Sequence, residues 1–122
     1  MRELTSHKVN GLNEALKIVV LDEPGAGNAC HHYHVEWNIN GPVCDACDVR
    51  FQNGPIAENG VNGLSNEVLL AIVEDRLAGF QSGPYACPDN ELALRHTQTA
   101  MMWLQKRTRD RVARGVEGTS QK

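Results

Sequence analysis

The alternation of apolar and polar residues divides the chain into a strand-rich first half and a helical second half. Residues 17–21 are short, apolar and β-branched, which is typical of a strand, and residues 47–52 are a candidate for a third strand. Residues 31–38 alternate strictly and place three apolar side chains on one face: Tyr33, Val35 and Trp37. Loops are predicted where Gly, Pro, Asn and Asp concentrate, at 22–28, 40–47 and 53–63. The pattern predicts an antiparallel sheet of three or more strands.

The second half contains two segments with helical periodicity. Ser65 is a suitable N-cap, and apolar residues recur after it at helical spacing: Val68, Leu69, Ile72, Val73, Leu77 and Phe80. Gly and Pro interrupt the pattern at 81–88, and Pro88 then suits the first position of another helix. This helix is expected to end near Ala113, before Gly115, which makes it about 39 Å long.

These elements indicate the α+β class, with a small N-terminal antiparallel β-sheet followed by a C-terminal two-helix antiparallel hairpin. We predict a single domain with a β-rich part (1–63), a helical hairpin (64–115) and a flexible tail (116–122). The chain has 122 residues, of which only 5% are aromatic. A core this small often packs against another copy of the same chain, so we expect a homo-oligomer.

Charge is distributed unevenly along the sequence. Residues 1–100 carry 6 Lys and Arg against 13 Asp and Glu, whereas residues 101–122 carry 6 against 2. An acidic body disfavours DNA, and one basic segment suits a small phosphorylated ligand or simply offsets the helix dipole. The sequence has no long apolar run and no signal-peptide core, so we expect a cytoplasmic chain with reduced cysteines.

Arginines are spaced along one face of the second predicted helix. Arg107, Arg111 and Arg114 follow Trp103 at intervals of one helical turn. Arginine pairs of this kind hold a diphosphate. Pairing within the helix, such as Arg107 with Asp110, explains the spacing equally well.

Cysteine and histidine clusters suggest two further kinds of site. Cys44 and Cys47 have the spacing of metal ligands, but the usual second pair is missing, so we predict free thiols and no metal. His32, His34 and Glu36 are candidate proton carriers for a nucleotide-signal hydrolase. No nucleophile elbow, P-loop or metalloprotease motif accompanies them, and we therefore predict no catalytic residues and no cofactor.

Three long segments resemble a known family, at 4–33, 50–87 and 92–119. The most specific matches are the sequences LDEPGAG, FQNGPI and WLQKRTRDR, the last followed by RGVEGT. With these segments the chain resembles the first class of Thoeris anti-defence proteins, which are phage sponges for glycocyclic ADP-ribose. The helical hairpin alone is also similar to that of phage anti-CBASS sponges. The 39–47 loop departs from the family pattern.

The resemblance implies a non-enzymatic viral protein that acts in the cytoplasm of the infected bacterium. It implies sequestration, without cleavage, of a cyclic ADP-ribose isomer made by a bacterial TIR-domain enzyme, and it admits cyclic di- or trinucleotides as further ligands. It implies Phe80 as a stacking surface for the base, Asn90 as a polar contact, and Arg107 and Arg111 as phosphate ligands. Without the resemblance, Phe80 fits plain core packing and Asn90 fits an ordinary first helical turn.

The predicted helix separates these residues by more than a small ligand spans. Asn90 and Arg107 are 17 residues apart, about 25 Å along a helix. We therefore predict a pocket shared by two protomers related by a two-fold axis, and the resemblance favours a hexamer built from such dimers. The alternatives are the hydrolase and a protein-binding module that blocks a defence enzyme directly.

Overall fold

The computed structural model describes residues 1–38 and 44–122. The described chain separates into two compact units, residues 1–64 and 65–122. The first contains a four-stranded sheet and the second contains the long helices. The α+β class is therefore confirmed.

The first unit is an antiparallel sheet in which the strands lie side by side in sequence order. Its strands are β1 (Arg2–Leu4), β2 (Leu16–Val20), β3 (His32–Asn38) and β4 (Cys44–Arg50). Two short helices, α1 (Gly11–Glu14) and α2 (Ile56–Asn59), and a 3-10 turn at Ala26–Asn28 connect or follow them.

Strands β2 and β3 lie where the alternation places them, whereas one further strand was missed and the predicted limits of another were wrong. The strand β1 was not predicted, because three residues are too short to show periodicity. Strand β4 begins at Cys44 and not after the predicted loop, because every residue from Cys44 to Arg50 pairs with a residue of β3. The part of that loop at 40–43 lies outside the described residues.

The DEPGAG turn is held by the carboxylate of Asp22. Its two oxygens accept hydrogen bonds from the backbone N–H groups of His31 (2.8 Å) and His32 (3.1 Å). These bonds lower the pKa of Asp22, that from His31 most strongly. The turn therefore fixes the point at which β3 begins.

The end of the sheet is closed by the 51–64 loop. Phe51 and Leu64 form a parallel bridge, and the Phe51 ring packs edge-on against Tyr33 with 5.7 Å between ring centroids. Gly63 has no room for a side chain, since a Cβ there would lie 2.4 Å from the backbone of Phe51. The loop is therefore anchored by close backbone approach.

The second unit is a hairpin of α3 (Asn66–Gln81) packed against α4 (Pro88–Ala113). The Ser65 side chain caps α3 by accepting a hydrogen bond from the Val68 N–H, and Pro88 begins α4. After Ala113 the chain reverses at Gly115, whose φ is +73°. The predicted start and end signals of both helices are confirmed.

Few side chains are buried within either unit. In the described ranges, Val20, Cys30, Leu94 and Arg111 are buried. Half of the predicted apolar stripe of α3 is exposed, including Ile72 at 60%. One partner helix covers only one side of α3, which leaves the rest of the stripe at the surface. Over the described ranges, none of the helices combines the length and the apolar character needed to cross a membrane.

Candidate functional site

The turn between α3 and α4 is closed by hydrogen bonds from one glutamine. The Gln81 side chain accepts a hydrogen bond from the Cys87 N–H (3.0 Å) and donates one to the Cys87 carbonyl (3.2 Å). Cys87 Sγ then caps α4 by accepting from the Asn90 N–H at 3.4 Å. The turn is thereby held, with Phe80 in the last turn of α3 and Asn90 in the first turn of α4.

Phe80 and Asn90 are both half-buried. The Arg76 guanidinium carbon lies 4.9 Å from the centroid of the Phe80 ring, a cation–π contact that covers one ring face. The side-chain amide of Asn90 forms no hydrogen bond within the described ranges. The turn thus presents the Phe80 ring and the Asn90 amide, whose hydrogen-bonding groups have no partner in the described ranges.

The other end of α4 forms a basic cleft of about 440 Å³. Five of its seven lining residues are cationic and one is acidic; they are Trp103, Lys106, Arg107, Asp110, Arg111, Arg114 and Lys122. Clefts of this size hold small molecules, and the charge favours an anion. Trp103 is 60% exposed, so its indole is available beside the cations.

Within this cleft the acidic residue pairs with a lysine. Lys106 Nζ lies 2.7 Å from Asp110 Oδ2, and this hydrogen bond lowers the pKa of Asp110. The pairing of Arg107 with Asp110, the other explanation of the arginine spacing, is therefore not observed. Arg107 is exposed and forms no ion pair in the parts of the chain that the structure describes.

Arg111 differs sharply from Arg107, because its side chain is only 9% exposed. Its guanidinium donates to the Glu117 carboxylate (3.1 Å) and to three backbone carbonyls, those of Val116 (2.9 Å), Thr119 (3.1 Å) and Gln121 (2.6 Å). The 116–122 segment, for which the sequence predicts a flexible tail, thus lies over this arginine. Arg107 and Arg111 share a helical face, but Arg111 is buried and paired with a carboxylate whereas Arg107 is exposed.

The four residues expected to bind ligand therefore form two groups. Phe80 and Asn90 lie at the hairpin turn, and Arg107 and Arg111 lie in the last turns of α4. The straight distance along the helix from Asn90 to Arg107 is about 25 Å. One chain does not bring the two groups around one small molecule.

Three residues at the basic end lie outside both the predicted arginine spacing and its alternative pairing: Lys106, Glu117 and Lys122. Lys106 had a detectable signal, since it follows Trp103 by three residues and precedes Asp110 by four. Glu117 and Lys122 had none, because only the reversal of the chain after Gly115 brings them to the helix.

A second cluster of titratable groups occupies the polar face of β3 and β4. Asp48 accepts hydrogen bonds from His34 Nδ1 and from His32 Nε2, the latter at 3.0 Å. Glu36 lies 3.5 Å from His34 Nε2, and Arg50 lies 3.6 Å from Asp48. The hydrogen bond between His34 and Asp48 is the main reason why the pKa of His34 is raised and that of Asp48 is lowered.

The sequence thus correctly places His32, His34 and Glu36 on one face. In the described residues, no group of three or more His, Cys, Asp and Glu side chains is arranged to hold a metal ion. Cys47 is exposed and Cys30 is buried, and both are free thiols. The side chain of Cys44 lies outside the described residues.

Comparison with known proteins places the helical hairpin in a family. The family model described as "Acb2/Tad1, hairpin domain" matches residues 45–109, which is more than half of the chain. This range contains β4 from its second residue, all of α3 and most of α4, with Phe80, Asn90 and Arg107 inside it and Arg111 just beyond it.

A phage protein is similar to part of this chain in amino-acid sequence. The protein named Thoeris anti-defense 1 from Bacillus phage SBSphiJ7 is 49% identical over 74 residues. The aligned region covers 61% of this chain and 52% of that protein, so the chain spans about half the length of this relative. With a family model that matches most of the hairpin, the chain belongs to the Acb2/Tad1 hairpin-domain family.

Proposed function

We propose that this protein is a phage anti-Thoeris sponge that binds a cyclic ADP-ribose isomer and keeps it from its effector. The observation that carries the proposal is the basic cleft at the end of α4, which combines an exposed Trp103 with an exposed Arg107 that forms no ion pair in the described ranges. A cyclic ADP-ribose carries a diphosphate and an adenine base. Cationic forks suit the first and aromatic surfaces suit the second.

The similarity to Thoeris anti-defense 1 supports the biological setting of this proposal. That relative is a phage protein whose name states an action against the Thoeris defence. In the proposed role, a bacterial TIR-domain enzyme makes the signal, and this protein sequesters it in the cytoplasm of the infected cell. Glycocyclic ADP-ribose is the isomer that we propose, with cyclic di- and trinucleotides as further ligands.

The pocket is proposed to be shared between two protomers. Phe80 and Asn90 of one protomer would meet Arg107 and Arg111 of its partner, with the α4 helices antiparallel about a two-fold axis. The exposed apolar side chains of the hairpin, Ile72 and Leu92 among them, support such an association because water contact with them is unfavourable. We propose that these dimers assemble into a hexamer.

Capture and release of intact ligand tests sequestration. Purified protein would be incubated with synthetic glycocyclic ADP-ribose, passed through a size-exclusion column and heated, and the released molecule would be identified by mass. A sponge returns the unchanged mass from the oligomer fraction. A changed mass would instead indicate a hydrolase, and His34→Asn would then be expected to abolish the conversion. Ligand recovered only in the late fractions would reject binding.

Mixing two inactive variants tests the shared pocket. Asn90→Ala and Arg107→Ala protomers would each be tested alone and then mixed after subunit exchange. Random exchange in a two-fold dimer restores one intact pocket in half of the dimers, so about a quarter of the wild-type capacity should return. A pocket contained in one chain would regain no capacity on mixing, and that result would exclude the shared arrangement.

A further inference from the structure

A negatively charged side chain is hydrogen-bonded to Arg111. The Glu117 carboxylate accepts from Arg111 Nε at 3.1 Å, and the arginine side chain is 9% exposed. A carboxylate and a phosphate use the same guanidinium donors with similar geometry. Glu117 therefore occupies the donor that a phosphate would take.

The chain reversal after α4 delivers this carboxylate. The Gly115 N–H donates to the Val112 carbonyl at 3.0 Å and the Val116 N–H donates to the Arg111 carbonyl at 3.0 Å, which is a Schellman motif. Gly118 adopts a second positive φ of +78° and turns the segment again. The carbonyls of Val116, Thr119 and Gln121 then complete the guanidinium shell.

The 116–122 segment also forms a hydrogen bond with Arg114. Arg114 Nη1 donates to the Lys122 carbonyl at 2.7 Å, and Lys122 also lines the basic cleft. Within the described residues, every side-chain hydrogen bond of Arg111 and Arg114 is made with the 116–122 segment, whereas Arg107 forms no ion pair with a carboxylate. The segment places a carboxylate against Arg111 and leaves Arg107 available.

We propose that Glu117 is an internal counterion of the anion site, which a phosphate of the ligand must displace from Arg111. This inference rests on the proposed function and adds a regulatory element to it. Binding then proceeds in two parts, with Arg107 receiving one phosphate directly and Arg111 receiving the other only when Glu117 withdraws. The Glu117 carboxylate lowers the affinity for the ligand, and it neutralises the buried Arg111 guanidinium when no ligand is present.

The test removes the charge of Glu117 and keeps its shape. Glu117→Gln would be compared with wild type and with Glu58→Gln, an exposed carboxylate on α2 that changes the net charge equally. Affinity for inorganic pyrophosphate and for glycocyclic ADP-ribose would be measured by calorimetry. A neutral competitor holds a guanidinium about tenfold less tightly than a charged one, so Glu117→Gln should bind both probes about tenfold more tightly.

A second measurement needs no ligand and separates the two proposals. Hydrogen exchange at the Val116 and Thr119 amides, both hydrogen-bonded in the structure, should accelerate in Glu117→Gln and not in Glu58→Gln. If wild type retains glycocyclic ADP-ribose but Glu117→Gln binds it with unchanged or weaker affinity, the proposal that Glu117 is a counterion is wrong and the proposed function stands. If wild type retains neither probe while the amides behave as expected, the proposed function is wrong and the counterion role falls with it.

Discussion

Replacement of Arg107 by alanine is the most direct probe of the basic cleft. Arg107 is exposed and pairs with no carboxylate in the described residues, so its removal should leave the free energy of unfolding almost unchanged. In the ligand complex, each charge-assisted hydrogen bond to a phosphate contributes about 1.5–3 kcal/mol. Loss of one such bond weakens binding by about 10-fold, and loss of a bidentate pair weakens it by about 100-fold or more.

The matched control for this change lies two residues away. Arg109 is exposed on the same helix, but it is not among the residues that line the cleft with Arg107. Arg109→Ala removes the same charge and should change affinity by less than about threefold at an ionic strength near 0.15 M, because screening limits the effect of a distant charge.

Calorimetric titration of both variants with glycocyclic ADP-ribose checks the expectation, and denaturant unfolding confirms that each folds like wild type. An Arg107→Ala affinity equal to that of Arg109→Ala would refute the reasoning. It would show that Arg107 contributes only a general positive field and that its guanidinium contacts no phosphate.

Three further predictions concern the stability of the units. Gly63→Ala should cost about 1–3 kcal/mol in denaturant unfolding, because its Cβ would meet backbone at 2.4 Å, whereas Gly11→Ala, with open space around it, should be close to neutral. Ser65→Ala should cost about 1 kcal/mol through loss of the α3 cap, measured in the same way, and an unchanged midpoint would contradict the capping role. Because the pKa of His34 is raised in the folded protein, its interaction with Asp48 stabilises the sheet at pH values below the ordinary histidine pKa. This stabilisation is lost as the pH rises through the folded pKa, so thermal stability should fall from mildly acidic to mildly basic pH. The dependence on pH should weaken in Asp48→Asn.

The pH prediction depends on every charged group on the same face of the sheet. His32, Glu36, Asp48 and Arg50 surround His34, and strand register places Lys17 opposite Glu36 and Glu3 opposite Val19. The lowered pKa of Asp48 gives stability that is lost only as pH falls through that pKa, so it acts in a separate, acidic range. Between mildly acidic and mildly basic pH, the change in stability therefore reports mainly on His34.

Local signals in the sequence determined the secondary structure of most of the chain. The helix limits could be predicted because a capping serine, a proline at the first helical position and a glycine after the last are properties of single residues. The face shared by His32, His34 and Glu36 could be predicted because side chains of a strand alternate with a period of two. The length of α4 likewise showed that Asn90 and Arg107 lie far apart.

Tertiary structure alone decided how the sheet is completed and which arginine is available. Strands β1 and β4 take their limits from pairing with neighbours, and a pairing partner many residues away leaves no periodic signal in a short segment. Arg107 and Arg111 are equivalent by helical spacing, yet the chain reversal at Gly115 surrounds only Arg111 with a carboxylate and carbonyls. Backbone carbonyls are present at every residue, so no side-chain pattern distinguishes the ones that will fold back onto a buried guanidinium.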